Sequence, residues 1–350
     1  MPRQRAMPKK REKKIMPDIA VIGTGYWGPN YVRVLSELRD TQVTWCADLD
    51  QKNLERIRET HPGISITTDH RKIARSRNVD AVVITTPVNS HFELARYYLK
   101  KGKHVLVEKP FTSKVYEAEE LLEIARNRDL IIMAGHIYLF HPAVLKLRTL
   151  IKKGVLGRIY YLRSERMGLG PIRKHASALW DLATHDISMA LYLLETGPVN
   201  TSITGGSYLQ KDIPDFVDLN LRFPDNIYHT IYATWFAPEK VRKLTIAGSE
   251  AMAIFDDMNK FEPLRIFEAK VDRSLLDSTP SYEDHQRIVS AGDVHAPRIP
   301  SDEPLKNLAA RFIDLVTNGK RGRSSGKNGL EVVKILETAE NILSQGQGFK

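Results

Sequence analysis

The stretch Ile19-Ala20-Val21-Ile22-Gly23-Thr24-Gly25-Tyr26-Trp27-Gly28 decides the fold of the first part of the chain. Residues 19–22 are apolar and predict a buried strand, and a helical stretch follows at residues 27–38. Gly23, Gly25 and Gly28 hold the glycine positions of the pattern G-x-G-x-x-G. The first glycine permits a tight turn, the second a close approach to a pyrophosphate, and the third close packing of helix on strand. The stretch therefore predicts the phosphate loop of a dinucleotide-binding Rossmann domain, with a tight turn that binds no ligand as the alternative.

An acidic residue at the end of the next predicted strand, residues 43–47, indicates which dinucleotide is bound. Asp48 lies about twenty residues beyond Gly28, where a carboxylate accepts a hydrogen bond from a ribose 2′-hydroxyl. The same carboxylate repels a 2′-phosphate, so the sequence favours NAD over NADP. Tyr26 and Trp27, inside the loop, are assigned to the cofactor site together with the three glycines.

The rest of the first third alternates short apolar strands with helical stretches, which is the pattern of a parallel sheet with crossover helices. Its strands are largely continuous apolar runs, as expected where both faces of a sheet are covered. The further strands are predicted at residues 81–84, 104–107 and 130–133, and the helices at residues 52–60 and 90–100.

After His141-Pro142 the pattern changes to longer strands with apolar and polar residues in alternation, which predicts an antiparallel sheet with one open face. A polar, proline-containing segment at residues 272–302 predicts a loop, and residues 305–318 and 329–344 predict amphipathic helices. The fold class is therefore α/β, with a Rossmann domain at residues 17–140 and an α+β domain for substrate binding and oligomerisation at residues 141–350. The strands are predicted at residues 159–166, 202–209, 217–222, 227–235, 244–247 and 252–255, with a helix at residues 143–152.

Composition narrows the classes of protein. The formal net charge of the 350 residues is +10, and residues 1–14 carry seven basic side chains against the single acid Glu12. Residues 1–16 are interpreted as a basic disordered tail; binding of nucleic acid or an anionic membrane surface is the disfavoured alternative, because the tail has no aromatic residue and no apolar stripe. No apolar run is long enough to span a membrane. The lone cysteine, Cys46, excludes an intramolecular disulfide, and a cytoplasmic location is expected.

Two segments follow strands at the edge where open α/β sheets bind ligands. Thr85, Thr86, Pro87 and His91 belong to the first and are assigned to the cofactor site, although by itself this segment could be only a loop that caps the next helix. The second is Glu108-Lys109-Pro110. A lysine here can carry the proton of an alcohol under oxidation or polarise a carbonyl, whereas a surface lysine in a turn is the plain alternative.

Asp181 and His185 are four residues apart on a predicted helix and therefore share a face. A histidine oriented by a carboxylate is a suitable general base for a sugar hydroxyl, and a solvated polar helix face is the alternative. His136 and His141 are interpreted as residues of a pocket or of the domain junction. No metal site is expected, because a third ligand and a clearer spacing are missing.

Together these motifs resemble the Gfo/Idh/MocA family of oxidoreductases over nearly the whole chain from Asp18 onward. Gly102-Lys103-His104-Val105-Leu106-Val107-Glu108-Lys109-Pro110 is its most specific segment. The resemblance implies a catalytic role for Lys109, a proline that is often cis at Pro110, and substrate-side roles for Asp181 and His185. It also implies contacts of Glu108 and Lys109 with the cofactor, and a homodimer or homotetramer formed through the open sheet.

A narrower likeness concerns residues 135–144 and 178–186, which are similar to a branch of nucleotide-sugar 3-dehydrogenases. This branch has proline where the chain has Thr184, and asparagine where it has Ser177. The likeness implies substrate contacts for Tyr138, Trp180 and His185. Arg166 matches an arginine of the branch that could face an acidic or phosphorylated substrate, and an exposed strand arginine accounts for it equally well.

The sequence thus predicts an NAD-dependent oxidoreductase that oxidises a secondary hydroxyl of a sugar or nucleotide sugar. Lys109 and His185 share the proton transfer, and the sequence leaves open which is the principal base. A non-catalytic sensor of dinucleotides or sugars on the same scaffold is the alternative. The presence of both Lys109 and His185 argues against it.

Overall fold

Continuous apolar runs in the first part of the chain form a six-stranded parallel sheet. Its strand order is β3-β2-β1-β4-β5-β6, the order of a dinucleotide-binding Rossmann fold. The computed structural model describes residues 16–170, 172–173, 176–268, 270–271, 289–290, 292–319 and 326–346. The strands are β1 Asp18–Ile22, β2 Gln42–Ala47, β3 Ser65–Thr67, β4 Val79–Ile84, β5 His104–Val107 and β6 Ile132–Ala134.

Five helices connect or flank these strands. Two of them begin with an aspartate whose carboxylate accepts a hydrogen bond from the first turn: Asp50 from the amide of Lys52 at 2.9 Å, and Asp69 from the amide of Arg71 at 3.0 Å. The helices are α1 Gly28–Ser36, α2 Gln51–Thr60, α3 His70–Arg75, α4 His91–Lys100 and α5 Val115–Asn127.

The second sheet has eight strands in the order β16-β13-β12-β11-β7-β10-β9-β8, and its pairs are antiparallel except that β10 runs parallel to β7. Parallel and antiparallel sheets in separate parts of the chain confirm the predicted fold class. The strands are β7 Ile159–Met167, β8 Asn200–Gly206, β9 Phe216–Arg222, β10 Tyr228–Thr234, β11 Val241–Gly248, β12 Met252–Asp256, β13 Leu264–Phe267 and β16 Val294–His295, with β14 Lys270–Val271 and β15 Val289–Ser290 forming a separate pair.

Four helices accompany the second sheet: α6 Pro142–Lys152, α7 Thr184–Leu194, α8 Pro304–Asn318 and α9 Gly326–Gly346. Helix α6 packs on β12 and α9 packs on β8. The last two helices also return to the Rossmann part, since α8 contacts α1 and α9 contacts α5 and β6. None of the helices in the described ranges is both long and apolar enough to cross a lipid bilayer.

Several elements differ from the sequence-based expectations. The short β3 and α3 and the longer α5 were not predicted, and β6 begins at Ile132 rather than at residue 130. The predicted loop at residues 272–302 contains β15 and β16, although residues 272–288 lie outside the described ranges. The predicted basic tail also lies outside them, except for Met16. Two-residue strands such as these have no apolar run of their own, so periodicity gives no signal for them.

Candidate functional site

The glycine loop lies between β1 and α1 with little room to spare. Gly23 has a φ of +90°, a conformation that side-chain-bearing residues rarely adopt. A Cβ atom added at Gly28 would overlap the carbonyl oxygen of Gly23, whereas one added at Gly25 would meet nothing within 4 Å. Gly28 therefore serves the packing of helix on loop, and Gly25 leaves open space in front of the backbone. This arrangement fits the pyrophosphate of a dinucleotide.

A pair of variants separates these two glycine roles. We expect Gly28→Ala to lower the free energy of unfolding by about 1–3 kcal/mol, because the added methyl group overpacks the loop. Gly25→Ala is expected to leave the free energy of unfolding within about 0.5 kcal/mol of the wild-type value. Its methyl group is expected to weaken NAD binding, because it occupies the open space in front of the loop. Urea titration and calorimetric titration with NAD measure the two effects. Equal stability of the two variants would contradict the assignment.

Asp48 lies directly beside the glycine loop. Its Oδ2 accepts hydrogen bonds from the Thr24 amide at 2.5 Å and from the Thr24 hydroxyl at 3.1 Å, and its Oδ1 accepts one from the Asp50 amide at 2.8 Å. The carboxylate is thus fixed at the end of β2, where the sequence placed it.

The segment after β4 contacts both the glycine loop and the segment after β5. The Thr85 hydroxyl donates to the carbonyl oxygen of Gly23 at 2.5 Å. The buried His91 ring lies between two backbone carbonyl oxygens, with Nε2 2.7 Å from that of Thr86 and Nδ1 2.9 Å from that of Pro110. His91 therefore joins the two segments rather than presenting a free nitrogen to a cofactor, because both ring nitrogens are already occupied. Pro87 is exposed at the turn between Thr86 and α4.

Glu108 is buried behind the edge of the sheet. It accepts a hydrogen bond from the Tyr31 hydroxyl at 2.6 Å and one from the Lys109 amide at 2.9 Å. Burial raises the pKa of Glu108 above its ordinary value. The peptide bond between Lys109 and Pro110 is cis. The contacts of Glu108 fix the backbone from which the Lys109 side chain extends.

Lys109 is held by Asp181. The ammonium nitrogen lies 2.7 Å from the backbone oxygen of Asp181 and 2.8 Å from its Oδ1, and Trp235 Nε1 donates to Oδ2 at 3.3 Å. Burial alone raises the pKa of Asp181, but the charge of Lys109 and its hydrogen bond outweigh burial and hold the pKa below its ordinary value. The two residues therefore form an ion pair between the two parts of the chain.

The predicted pairing of Asp181 with His185 is wrong. Residues Leu179–Ala183 form a π-helical turn, and α7 begins only at Thr184, so the i, i+4 spacing of an α-helix does not apply. Among the described residues His185 Nδ1 is buried without a hydrogen-bond partner, and the His185 ring packs edge-on against Tyr138 with centroids 5.0 Å apart. Burial lowers the pKa of His185 well below its ordinary value, and the charges of Lys109 and Arg166 lower it further. His185 is therefore a neutral imidazole.

Arg166 is buried, which excludes the alternative of an exposed strand arginine. Its Nε donates to Asp186 Oδ2 at 2.6 Å, and a second nitrogen donates to Oδ1 at 3.3 Å. The guanidinium also lies 4.6 Å from the centre of the Tyr138 ring and donates to its hydroxyl at 3.1 Å. The charge of Arg166 is thus balanced from behind by Asp186.

The two predicted junction histidines lie where the two parts of the chain meet. His136 is buried, its Nδ1 lies 2.7 Å from Asn328 Oδ1 on α9, and burial lowers its pKa to about 4. His141 Nδ1 accepts from the Ala143 amide at 3.1 Å and so caps α6.

One cavity of about 690 Å³ brings together the predicted catalytic and substrate residues, except Trp180, with two residues of the glycine loop. Trp180 instead lines a neighbouring cavity of about 350 Å³, and its indole nitrogen donates to Glu340 at 2.8 Å. The predicted residues that line the larger cavity are Tyr26, Trp27, Lys109, Tyr138, Arg166, Asp181 and His185.

The sequence analysis missed a second group of residues in the same cavity: Arg173, Lys240, Arg242, Asp257 and Lys260. Arg242 lies opposite Arg166 in the register of β11 on β7. These residues belong to no motif. The one signal for Arg242 is the alternation along β11, which puts its side chain on the same face as the buried Leu244.

Most of the chain matches known protein families. Residues 18–136 match a family described as an oxidoreductase family with an NAD-binding Rossmann fold, and residues 144–254 match the GFO/IDH/MocA C-terminal domain. The chain is 28% identical to the UDP-N-acetylglucosamine 3-dehydrogenase of Acidithiobacillus ferrooxidans over 318 residues, which are 91% of this chain and 96% of that protein.

Two solved structures share the fold. The structure of the Acidithiobacillus ferrooxidans enzyme, GnnA, superposes with a TM-score of 0.79 at 21% identity and covers 95% of this chain and 99% of its own. GenD2 from gentamicin A biosynthesis, solved in complex with NAD, gives a TM-score of 0.79 at 19% identity and covers 98% of both chains. At these identities the two structures show the common fold alone.

Proposed function

Because the chain belongs to the Gfo/Idh/MocA oxidoreductase family, we propose that it is an NAD-dependent dehydrogenase that oxidises a secondary hydroxyl of a sugar or nucleotide sugar. One observation carries the proposal. The Lys109 ammonium and the neutral His185 ring line the same cavity as Tyr26 and Trp27 of the glycine loop. A proton acceptor, a cation and the loop that fits a dinucleotide thus surround one space.

The two side chains divide the proton chemistry. The imidazole of His185 can accept a hydrogen bond from a substrate hydroxyl and take its proton as negative charge develops on the oxygen, which offsets the burial and the cations that lower the pKa of the ring. The Lys109 ammonium, fixed by Asp181, can hydrogen-bond the substrate oxygen and stabilise the negative charge that develops there. A dinucleotide held through its pyrophosphate at the glycine loop would supply a nicotinamide as the acceptor of the hydride from the carbon that bears this hydroxyl.

Asp48 supports the choice of NAD over NADP. We expect Asp48→Asn to raise the ratio of kcat/KM with NADP to kcat/KM with NAD by roughly tenfold or more. Two negative charges about 4 Å apart near a protein surface repel by up to about 4 kcal/mol, and a tenfold change corresponds to about 1.4 kcal/mol. Asparagine keeps an oxygen that can accept from the Thr24 amide.

Initial rates with both cofactors measure this ratio, and Asp50→Asn, which alters the neighbouring helix cap, is the matched control. An unchanged ratio in Asp48→Asn would remove the basis for choosing NAD.

The substrate proposal is tested by incubation of the purified protein with NAD and a panel of UDP-sugars, uronic acids, inositols and free sugars. The first candidate is the C3 hydroxyl of a UDP-N-acetylhexosamine or of its uronic acid, because a relative at 28% identity is a UDP-N-acetylglucosamine 3-dehydrogenase. Absorbance of the reduced cofactor reports turnover. No reduction with any member of the panel, while NAD still binds, would refute the proposed activity.

We also propose that a second copy of the chain covers the open face of the eight-stranded sheet. Tyr161 and Tyr228 lie opposite each other on β7 and β10, and 45% and 52% of their surfaces are exposed. Light scattering with size-exclusion chromatography should give a mass of at least two chains, and a monomer would contradict this proposal.

A further inference from the structure

The larger cavity is lined by more positive than negative side chains. Its carboxylates among the described residues are Asp181 and Asp257. Asp181 is engaged by Lys109 and lies 3.6 Å from Arg173, and Arg166 is balanced by Asp186 from behind. The basic residues of the lining are Lys109, Arg166, Arg173, Lys240, Arg242 and Lys260.

The excess of charge is concentrated in three residues of the second sheet, Lys240, Arg242 and Lys260, which we call the cationic end. They precede β11, lie in β11 and follow β12, respectively. Asp257 is the carboxylate among them, 3.2 Å from Arg242 and 3.6 Å from Lys260. One carboxylate therefore faces three cations.

The carboxylate of Asp257 is shared among several partners, two of which belong to the cationic end. Its Oδ2 accepts from the Tyr138 hydroxyl at 2.8 Å and from Arg242 at 3.2 Å, and His141 Nε2 lies 3.7 Å from its Oδ1. Burial alone raises the pKa of Asp257, but the Tyr138 hydrogen bond and the charges of Lys260 and Arg242 hold it below its ordinary value. Asp257 is thus ionised and offsets one of the three positive charges, so the cationic end keeps an excess of positive charge.

The cations line the cavity and keep donor capacity, since the Lys260 ammonium has three N–H groups and donates one of them to the backbone oxygen of Asp257 at 2.7 Å. The side chain of Arg242 is 39% exposed and that of Lys260 is 74% exposed. Lys240 packs beside Gly168, where an added Cβ would lie 3.6 Å from Lys240 Cγ. Within the described part of the chain, Lys240 has no carboxylate within 4.0 Å. Three cations with unused donors in one concave site attract an oxyanion.

We propose that the cationic end binds an anionic oxygen group of the substrate, either a phosphate or a carboxylate attached to the sugar. The inference rests on the proposed function, which places the reacting hydroxyl at Lys109 and His185 in the same cavity. We assign the phosphates of the cofactor to the glycine loop, whose backbone fits a pyrophosphate, and this leaves the cationic end for the substrate. The substrate class is thus an anionic sugar derivative rather than a neutral sugar or polyol.

Matched substrates and single-charge variants test the proposal. The substrates are N-acetylglucosamine, its 1-phosphate, its UDP derivative and the uronic acid of the UDP derivative. We expect Lys240→Met and Lys260→Met each to lower kcat/KM for the anionic substrates about fivefold or more, and the double variant to lower it further. Added salt should lower the wild-type value in the same direction by screening.

Lys146→Met is the matched control, because Lys146 is exposed on α6 and does not line the cavity. It should leave kcat/KM unchanged. If kcat/KM rises when the uronic acid carboxylate is added to the substrate, the cationic end binds a carboxylate. If kcat/KM rises when the phosphate groups are added, it binds a phosphate. Equal kcat/KM for neutral and anionic substrates in wild type would overturn the proposal and leave the dehydrogenase activity standing.

A binding measurement separates this proposal from the proposed function. Inorganic pyrophosphate is titrated calorimetrically into the protein at saturating NAD, so that the glycine loop is occupied. Pyrophosphate binding that survives in Lys146→Met and is lost in the double variant supports the cationic end, even if no sugar is oxidised. Pyrophosphate binding that is the same in the double variant and in wild type would refute it.

Discussion

The Lys109→Met variant is expected to turn over substrate at least about a hundredfold more slowly than the wild-type protein, with NAD binding largely unchanged. Methionine retains the length of the side chain and removes the ammonium that lies 2.7 Å from the backbone oxygen of Asp181. The loss falls on kcat, because the charge on the substrate oxygen develops during the reaction and not on binding. Cofactor contacts at the glycine loop are not touched by the change.

Two measurements check this expectation. Steady-state kinetics with the best substrate of the panel give kcat, and calorimetric titration gives the dissociation constant for NAD. Lys100→Met, which removes an exposed lysine in the last turn of α4, is the matched control and should behave as wild type. Turnover of Lys109→Met within about threefold of wild type would show that the ammonium has no part in the chemistry.

The second large effect concerns stability. We expect Asp186→Ala to lower the free energy of unfolding by about 3–5 kcal/mol, because it leaves the Arg166 guanidinium buried without its counter-charge. The side chains of Arg166 and Asp186 are only 5% and 1% exposed. Water therefore cannot replace the lost carboxylate. Urea titration measures the change.

A surface pair on another helix is the control. Glu120 on α5 lies 2.7 Å from Arg96, and both side chains are more than a third exposed. Glu120→Ala should cost about 1 kcal/mol or less, since solvent screens an exposed pair. The double variant Arg166→Met/Asp186→Ala should recover much of the lost stability by removing both charges. If Asp186→Ala costs no more than Glu120→Ala, Asp186 does not balance a buried charge.

Local patterns account for the parts of the molecule that the sequence predicts well. Glycines at fixed spacing after an apolar run predict both the loop and the Rossmann sheet, because the tight turn at Gly23 and the packing of Gly28 on the Gly23 carbonyl oxygen are set within a few residues. Lys109 follows β5, and residues that follow parallel strands lie at the same edge of the sheet. Its position could therefore be predicted without knowledge of the second sheet. Short segments were therefore enough to predict the family and the fold class, and both predictions are confirmed.

What the sequence analysis missed depends on contacts between distant elements. Asp181, which forms the ion pair with Lys109, lies in a π-helical turn, and the pattern of apolar residues does not predict this turn. The sequence analysis does not single out Asp186, and only the fold brings it to Arg166 on β7. The cationic end consists of residues in or next to β11 and β12. In the sequence each is a single basic residue that resembles an ordinary surface residue, and only the folded chain brings the three to one cavity.

The return of α9 to the Rossmann part bears on how the chain folds during synthesis. The contact between His136 and Asn328 spans 192 residues, and that between the Val115 amide and Glu337 spans 222. The ribosome therefore releases the whole parallel sheet long before the helix that covers β6 exists. Loop closure over such separations is slow, and an uncovered apolar edge is prone to aggregate in the meantime. The nascent Rossmann part is thus expected to wait, incompletely folded, until the last helix leaves the ribosome.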